Sequence, residues 1–152
     1  WEALLRRGTR CAAVGGSDTH YLKRVDAPLR HQDALGVPTT WVHIDGQPTV
    51  RTILAALREG RSFLSETPRG PQLYVEADRG RAGRVGVEVR DGAGATLMLL
   101  SDSGLLDAAP VNDATWDRAF DVPAGVRYVR AQLVAASGDM RALTNPIWAD
   151  QL

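Results

Sequence analysis

The chain has 152 residues, 44% of them apolar, enough for one domain, or one domain with an attached piece of another, to bury a real core. Eighteen basic residues balance eighteen acidic ones, and Arg is spread along the chain without forming a run. That excludes the basic excess on which nucleic-acid or anionic-membrane binding rests, and no stretch approaches the ~20 apolar residues of a spanning helix.

Residues 1 to 8 place Trp1, Leu4 and Leu5 at i, i+3 and i+4 and end on Gly8, which predicts a short helix. Thr9 to Val14 is a compact apolar run and reads as a buried strand, so that helix, turn and strand make half of an α/β repeat. The one cysteine, Cys11, lies in this run and reads as a buried structural thiol, with no disulfide framework to build. There is no initiator Met and no signal-peptide pattern, and the chain opens in mid-pattern, as if cut from something longer.

The run leads into Gly15-Gly16-Ser17-Asp18-Thr19-His20. In an extended chain residues i and i+2 point to the same side, about 7 Å apart, so Asp18 and His20 reach into one pocket. A carboxylate and an imidazole suit zinc, manganese or iron. The same residues also suit a turn in which Asp18 accepts backbone N–H bonds. Two donors fall short of a catalytic site, because a catalytic zinc takes three protein ligands and a two-metal site takes more.

From Thr19 to Gln47 the chain is irregular, punctuated by Pro28, Gly36, Pro38 and Gly46, with one short strand expected over Thr39 to Ile44. His31 and His43 are isolated, and His43 alternates with Trp41 as a structural or surface residue would. Thr49 to Arg58 is the clearest helix: Val50, Ile53, Leu54 and Leu57 form one apolar face, Thr49 is the N-cap and Gly60 the stop. Arg61 to Ser65 is a brief extended piece. Arg61 is a candidate for bidentate contact with a substrate phosphate, with a surface salt bridge as the alternative.

At Pro68-Arg69-Gly70-Pro71 the pattern changes. Leu73, Val75 and Ala77 alternate with polar neighbours, as do Val85, Val87 and Val89, then Leu97 and Leu99, then Trp116, Phe120 and Val122, then Val129, Ala131 and Leu133. Period-two runs at such spacing predict an antiparallel β-sandwich, with a boundary near residue 70. Asp102, Asp107, Asp113 and Asp117 read as turn and edge acids. Trp116, Phe120 and Trp148 read as sandwich core, with a carbohydrate platform as the alternative if the Trp rings are exposed, and Ala142 to Trp148 reads as a closing strand or docking segment.

The segment Gly-Gly-Ser-Asp-Thr-His, after a helix and an apolar run, resembles the final metal-binding motif of the polymerase and histidinol phosphatase (PHP) metal-dependent hydrolases, within them the CehA/McbA-like branch. Leu35 to Val42, Ile53 to Leu64 and Leu143-Thr144-Asn145-Pro146-Ile147-Trp148 are similar to segments that follow the motif in that family. The resemblance is specific at residues 15 to 20 and 143 to 148.

The resemblance implies a mixed α and β chain: residues 1–69 as the C-terminal remnant of a (β/α) barrel, residues 70–152 as an accessory β-sandwich. It implies that Asp18 and His20 are metal ligands, with Ser17 and Asn145 as further motif residues. It also implies a metal-bound hydroxide that attacks a phosphoester or related ester. The family's opening His-x-His motif is absent here, so the chain is expected to be inactive alone and completed by an N-terminal half. The alternative function is a sandwich that acts as a binding or assembly module. Helix faces shaped to cover a missing barrel would pack on the sandwich, stay exposed, or pair with a second copy of the chain.

Overall fold

A computed structural model describes residues 1–17 and 35–152. The elements in chain order are α1 (Glu2–Arg6), β1 (Thr39–Val42), α2 (Val50–Arg58), β2 (Ser62–Ser65), β3 (Gln72–Ala77), β4 (Arg84–Arg90), β5 (Thr96–Ser101), β6 (Gly104–Pro110), β7 (Thr115–Asp121), β8 (Tyr128–Val134), β9 (Met140–Thr144) and β10 (Ile147–Trp148). A 3₁₀ turn, Ala149–Gln151, follows β10.

Alternation along the strands sorts side chains into faces. Val85, Val87 and Val89 of β4 point one way and are buried, while Arg84, Glu88 and Arg90 point the other. Strands β3, β4 and β7 form a small sheet in that order. The larger sheet runs β1-β2-β9-β8-β5-β6, and β10 also pairs with β8. Leu73, the three β4 valines and Phe120 of the small sheet meet Leu97, Leu99, Val129, Ala131, Leu133 and Ala142 of the large one in a single buried cluster.

This architecture corrects the expected fold class. Every strand pairing among the described residues is antiparallel, and β1 and β2 are direct neighbours, Trp41 opposite Phe63. A (β/α) barrel needs parallel strands joined by crossover helices. Here α2 sits in an excursion between two antiparallel neighbours, and β2 pairs onward with β9 through Phe63 opposite Thr144. The chain is therefore predominantly β, with no barrel remnant among the described residues. The apolar run Thr9 to Val14 is likewise not a strand, for its backbone joins no ladder.

The two helices fare differently. α1 lies on the outer face of the large sheet, with Leu5 fully buried and Leu4 turned to solvent. α2 begins in a reciprocal cap in which Thr49 and Thr52 each bond the other's backbone N–H. Its buried residue is Ala56, so the small-residue side faces inward. The apolar stripe stays out: Val50 is 74% exposed, and Ile53 and Leu54 are exposed with it.

Candidate functional site

The segment that leads into the motif is extended, and its hold on the large sheet runs through side chains. Trp1 Nε1 donates to the Cys11 carbonyl at 2.9 Å. Asn145 Oδ1 accepts the Ala13 N–H at 2.6 Å, and Asn145 Nδ2 donates back to the Ala13 carbonyl at 3.2 Å. Thr40 Oγ1 accepts the Gly15 N–H at 2.8 Å and donates to the Gly15 carbonyl at 3.0 Å. The contacts fall on residues 11, 13 and 15, the period of an extended chain that presents one edge of its backbone.

Asn145 does this from a buried position, 4% exposed. It follows β9 at the break before Pro146 and β10, where the chain steps out of one ladder and into the next. The same Nδ2 also donates to the Ser62 carbonyl at 3.1 Å and to Ser62 Oγ at 2.9 Å, so its two hydrogens are shared among three acceptors. The side chain thus ties β2, the end of β9 and the motif segment together. Beside it, Thr144 Oγ1 accepts the Ala131 N–H at 2.9 Å, covering a donor on β8.

Gly15 is required by close approach. A Cβ there would lie 2.8 Å from Leu64 Cδ2 and 2.9 Å from Pro38 Cγ, closer than carbon atoms pack. At Gly16 the same test meets open space. Ser17 is half-buried. Asp18 and His20, the expected metal ligands, lie outside the described residues, as does His31.

The other expected site residue, Arg61, lines a cleft of about 490 Å³ between β2, β3 and the segment Thr144–Ile147. Its Nη1 is 3.2 Å from Asp45 Oδ2 and its Nε donates to Glu59 Oε2 at 2.8 Å, so its guanidinium is held by two local carboxylates. His43 Nε2 lies 3.5 Å from the other Asp45 oxygen. Asn145 lines the same cleft, and the structure brings it to Arg61's side of the molecule. Among the described residues, no three of His, Cys, Asp or Glu converge as a metal-ligand set. The described residues therefore do not form a metal centre by themselves, and no reaction step is assigned to them.

Two residues with central roles here were not among the expected site residues. Thr40 lies in the expected strand and in the family-like stretch Leu35 to Val42, with nothing in the sequence to mark its hydroxyl. Arg130, on β8, is only 4% exposed, because α1 covers the face onto which it points. Its Nη2 pairs with Glu2 and its Nη1 donates to Gln132 Oε1 at 3.0 Å. Its guanidinium carbon lies 5.5 Å from the centre of the Trp1 ring. Burial lowers its pKa from the ordinary value, and its Nε is buried without a hydrogen-bond partner.

The aromatic residues expected in the core divide between the two faces. Phe120 is buried between the sheets, and Trp116 packs against that core. Trp148 instead lies against Tyr128, ring centres 5.5 Å apart, with Arg10 over its ring. No helix among the described residues is long and apolar enough to cross a membrane. No protein-family model matches the chain, and no curated protein or solved structure matches it.

Proposed function

We propose that this chain is the part of a PHP-type metal-dependent hydrolase that carries its last two metal donors, Asp18 and His20, on a β-rich accessory unit. The remaining donors, including a His-x-His pair, come from a separate segment, and the chain alone has no hydrolase activity. When bound, a zinc, manganese or iron ion would supply Lewis-acid activation of water and of a phosphoester or related ester. The observation that carries the reading is the double hydrogen bond between Asn145 and Ala13. It joins residues 143 to 148, one of the two stretches where the family likeness is specific, to the segment that leads into the other, residues 15 to 20.

Metal binding tests the reading. Calorimetric titration of the chain with Zn²⁺ or Mn²⁺ is expected to show binding that weakens by about tenfold or more in Asp18→Ala and in His20→Ala. Equal affinity in wild type and both variants would remove the two residues from any metal site.

A second reading, that the unit serves assembly, is favoured by the bare apolar stripe of α2. Val50, Ile53 and Leu54 are exposed together on a helix whose cap is well formed, and contiguous exposed apolar surface is the kind that partners cover. Light scattering is expected to show self-association that Val50→Glu with Leu54→Glu abolishes. A monomer at high concentration, with α2 amides protected from exchange, would argue against it.

A further inference from the structure

We infer that the free edge of β3 is a strand-addition site, which takes a short extended segment of a partner polypeptide as a further strand of the small sheet. The inference is independent of both readings above: it uses neither the metal donors nor the stripe of α2.

The direction of the backbone bonds along β3 is the starting point. The Asp78 N–H donates to the Arg84 carbonyl at 2.9 Å, and this pair continues the register in which Glu76 lies opposite Gly86 and Tyr74 opposite Glu88. In an antiparallel ladder, bonded and non-bonded pairs alternate. Tyr74, Glu76 and Asp78 therefore turn their backbone groups toward β4, while Val75 and Ala77 turn theirs away from it. β3 is the edge of its sheet on that side, and among the described residues no other segment bonds the backbone of Val75 or Ala77. Both residues are half-buried and line the cleft of about 490 Å³. Leu73, two residues earlier, is fully buried, so the accessible edge begins at Val75.

Two N–H and two C=O groups on one edge, repeating about 7 Å apart, are the complement of another extended backbone. The edge lies in a cleft whose far wall includes Ser62, Phe63 and Thr144–Ile147. A strand that enters there cannot bring a sheet behind it, which favours a peptide over a second copy of this chain. Two other sheet edges are guarded against such pairing. β6 is bulged against β5 and ends in Pro110, and β7 carries Asp117, Arg118 and Asp121. β3 has neither bulge nor proline.

Charge narrows the partner. Glu76, between Val75 and Ala77, is exposed and has no ion-pair partner among the described residues, whereas Glu88 on the neighbouring strand is paired with Arg90 at 2.6 Å. A basic side chain opposite Glu76 on the added strand would complete a cross-strand pair. The partner is thus an extended segment with Lys or Arg at that position and β-branched residues on either side of it.

The probe is a peptide blocked at both ends, threonine-valine-lysine-valine-threonine, followed by amide NMR. A Kd on the order of 1 mM is expected. The amide signals of Val75 and Ala77 should move most, with their hydrogen exchange slowed by about five- to tenfold at saturation. Tyr74 and Glu76, already bonded to β4, should move less. Methylating both valine nitrogens removes the donors that would face β3 and should abolish binding. Glu76→Gln should weaken binding of the parent peptide by about two- to fivefold. No shift at Val75 and Ala77 with the peptide at several millimolar overturns the site. Equal binding of the methylated peptide overturns strand addition, because side chains alone would then make the contact. Unchanged affinity in Glu76→Gln overturns the basic partner.

Discussion

Leu133→Ala is expected to lower the free energy of unfolding by about 3 kcal/mol, the largest single effect we foresee. Leu133 is fully buried on β8, opposite Leu97 of β5 and in register with Ala142 of β9. It thus sits where the central strands of the large sheet face the small sheet. Truncation removes transferred apolar surface and leaves a cavity that neighbours on three strands close only in part. Leu105→Ala is the matched control. Leu105 is 55% exposed on the edge strand β6, so the same chemical change there should cost no more than about 0.5 kcal/mol. Urea denaturation of the two variants separates them. Equal losses would mean that the cluster between the sheets is not the stabilising core.

The second large effect concerns the charge beneath α1. Glu2→Ala should destabilise the chain by about 2 kcal/mol, while Arg130→Met should be close to neutral. Glu2 is partly exposed and costs little to solvate, whereas the Arg130 side chain is nearly out of water. Removing the carboxylate leaves a buried guanidinium with Gln132 and the Trp1 ring as its remaining partners. Removing the guanidinium and filling its volume with a thioether removes the desolvation cost with the charge. The order of the two variants is the informative result. An Arg130→Met protein less stable than Glu2→Ala would mean that the ion pair stabilises the docking of α1 outright.

These expectations also mark where sequence reasoning succeeds and where it stops. The stripe Val50, Ile53, Leu54 and Leu57 with Thr49 ahead of it was enough to find α2, because capping and periodicity are local. Which face of α2 turns inward is not local: it depends on what stands opposite, and it is Ala56 rather than the stripe that is buried. Valines alternating through β4 announce a half-buried strand, and β3, β5, β7 and β8 have similar patterns. β6 escaped notice because Gly104-Leu105-Leu106-Asp107-Ala108-Ala109-Pro110 has no β-branched residue and ends in proline. Its place is set by the partner β5 along an exposed edge.

The barrel expectation failed for a related reason. A helix followed by an apolar run is compatible with an α/β repeat, yet periodicity does not say whether an extended segment finds a parallel neighbour, an antiparallel one or none. Here Cys11-Ala12-Ala13-Val14 takes side-chain partners, and β1 and β2 pair with each other. Arg130 is the opposite case. Between Val129 and Ala131 it reads as the outward polar position of a strand, which it is, but α1 covers that outward face. Asn145 was singled out by the likeness in residues 143 to 148, and its contacts with Ala13 and Ser62 lie 132 and 83 residues away, beyond any local signal.

The claim that matters most is that Asp18 and His20 hold a metal ion. Paramagnetic broadening by sub-stoichiometric Mn²⁺ addresses it without waiting for the rest of an active site. The account predicts that amide signals of residues 15 to 20 broaden first, and that Asp18→Ala abolishes the effect. Broadening centred instead on Asp45 and Glu59, the acids paired with Arg61, and indifferent to Asp18, would contradict it.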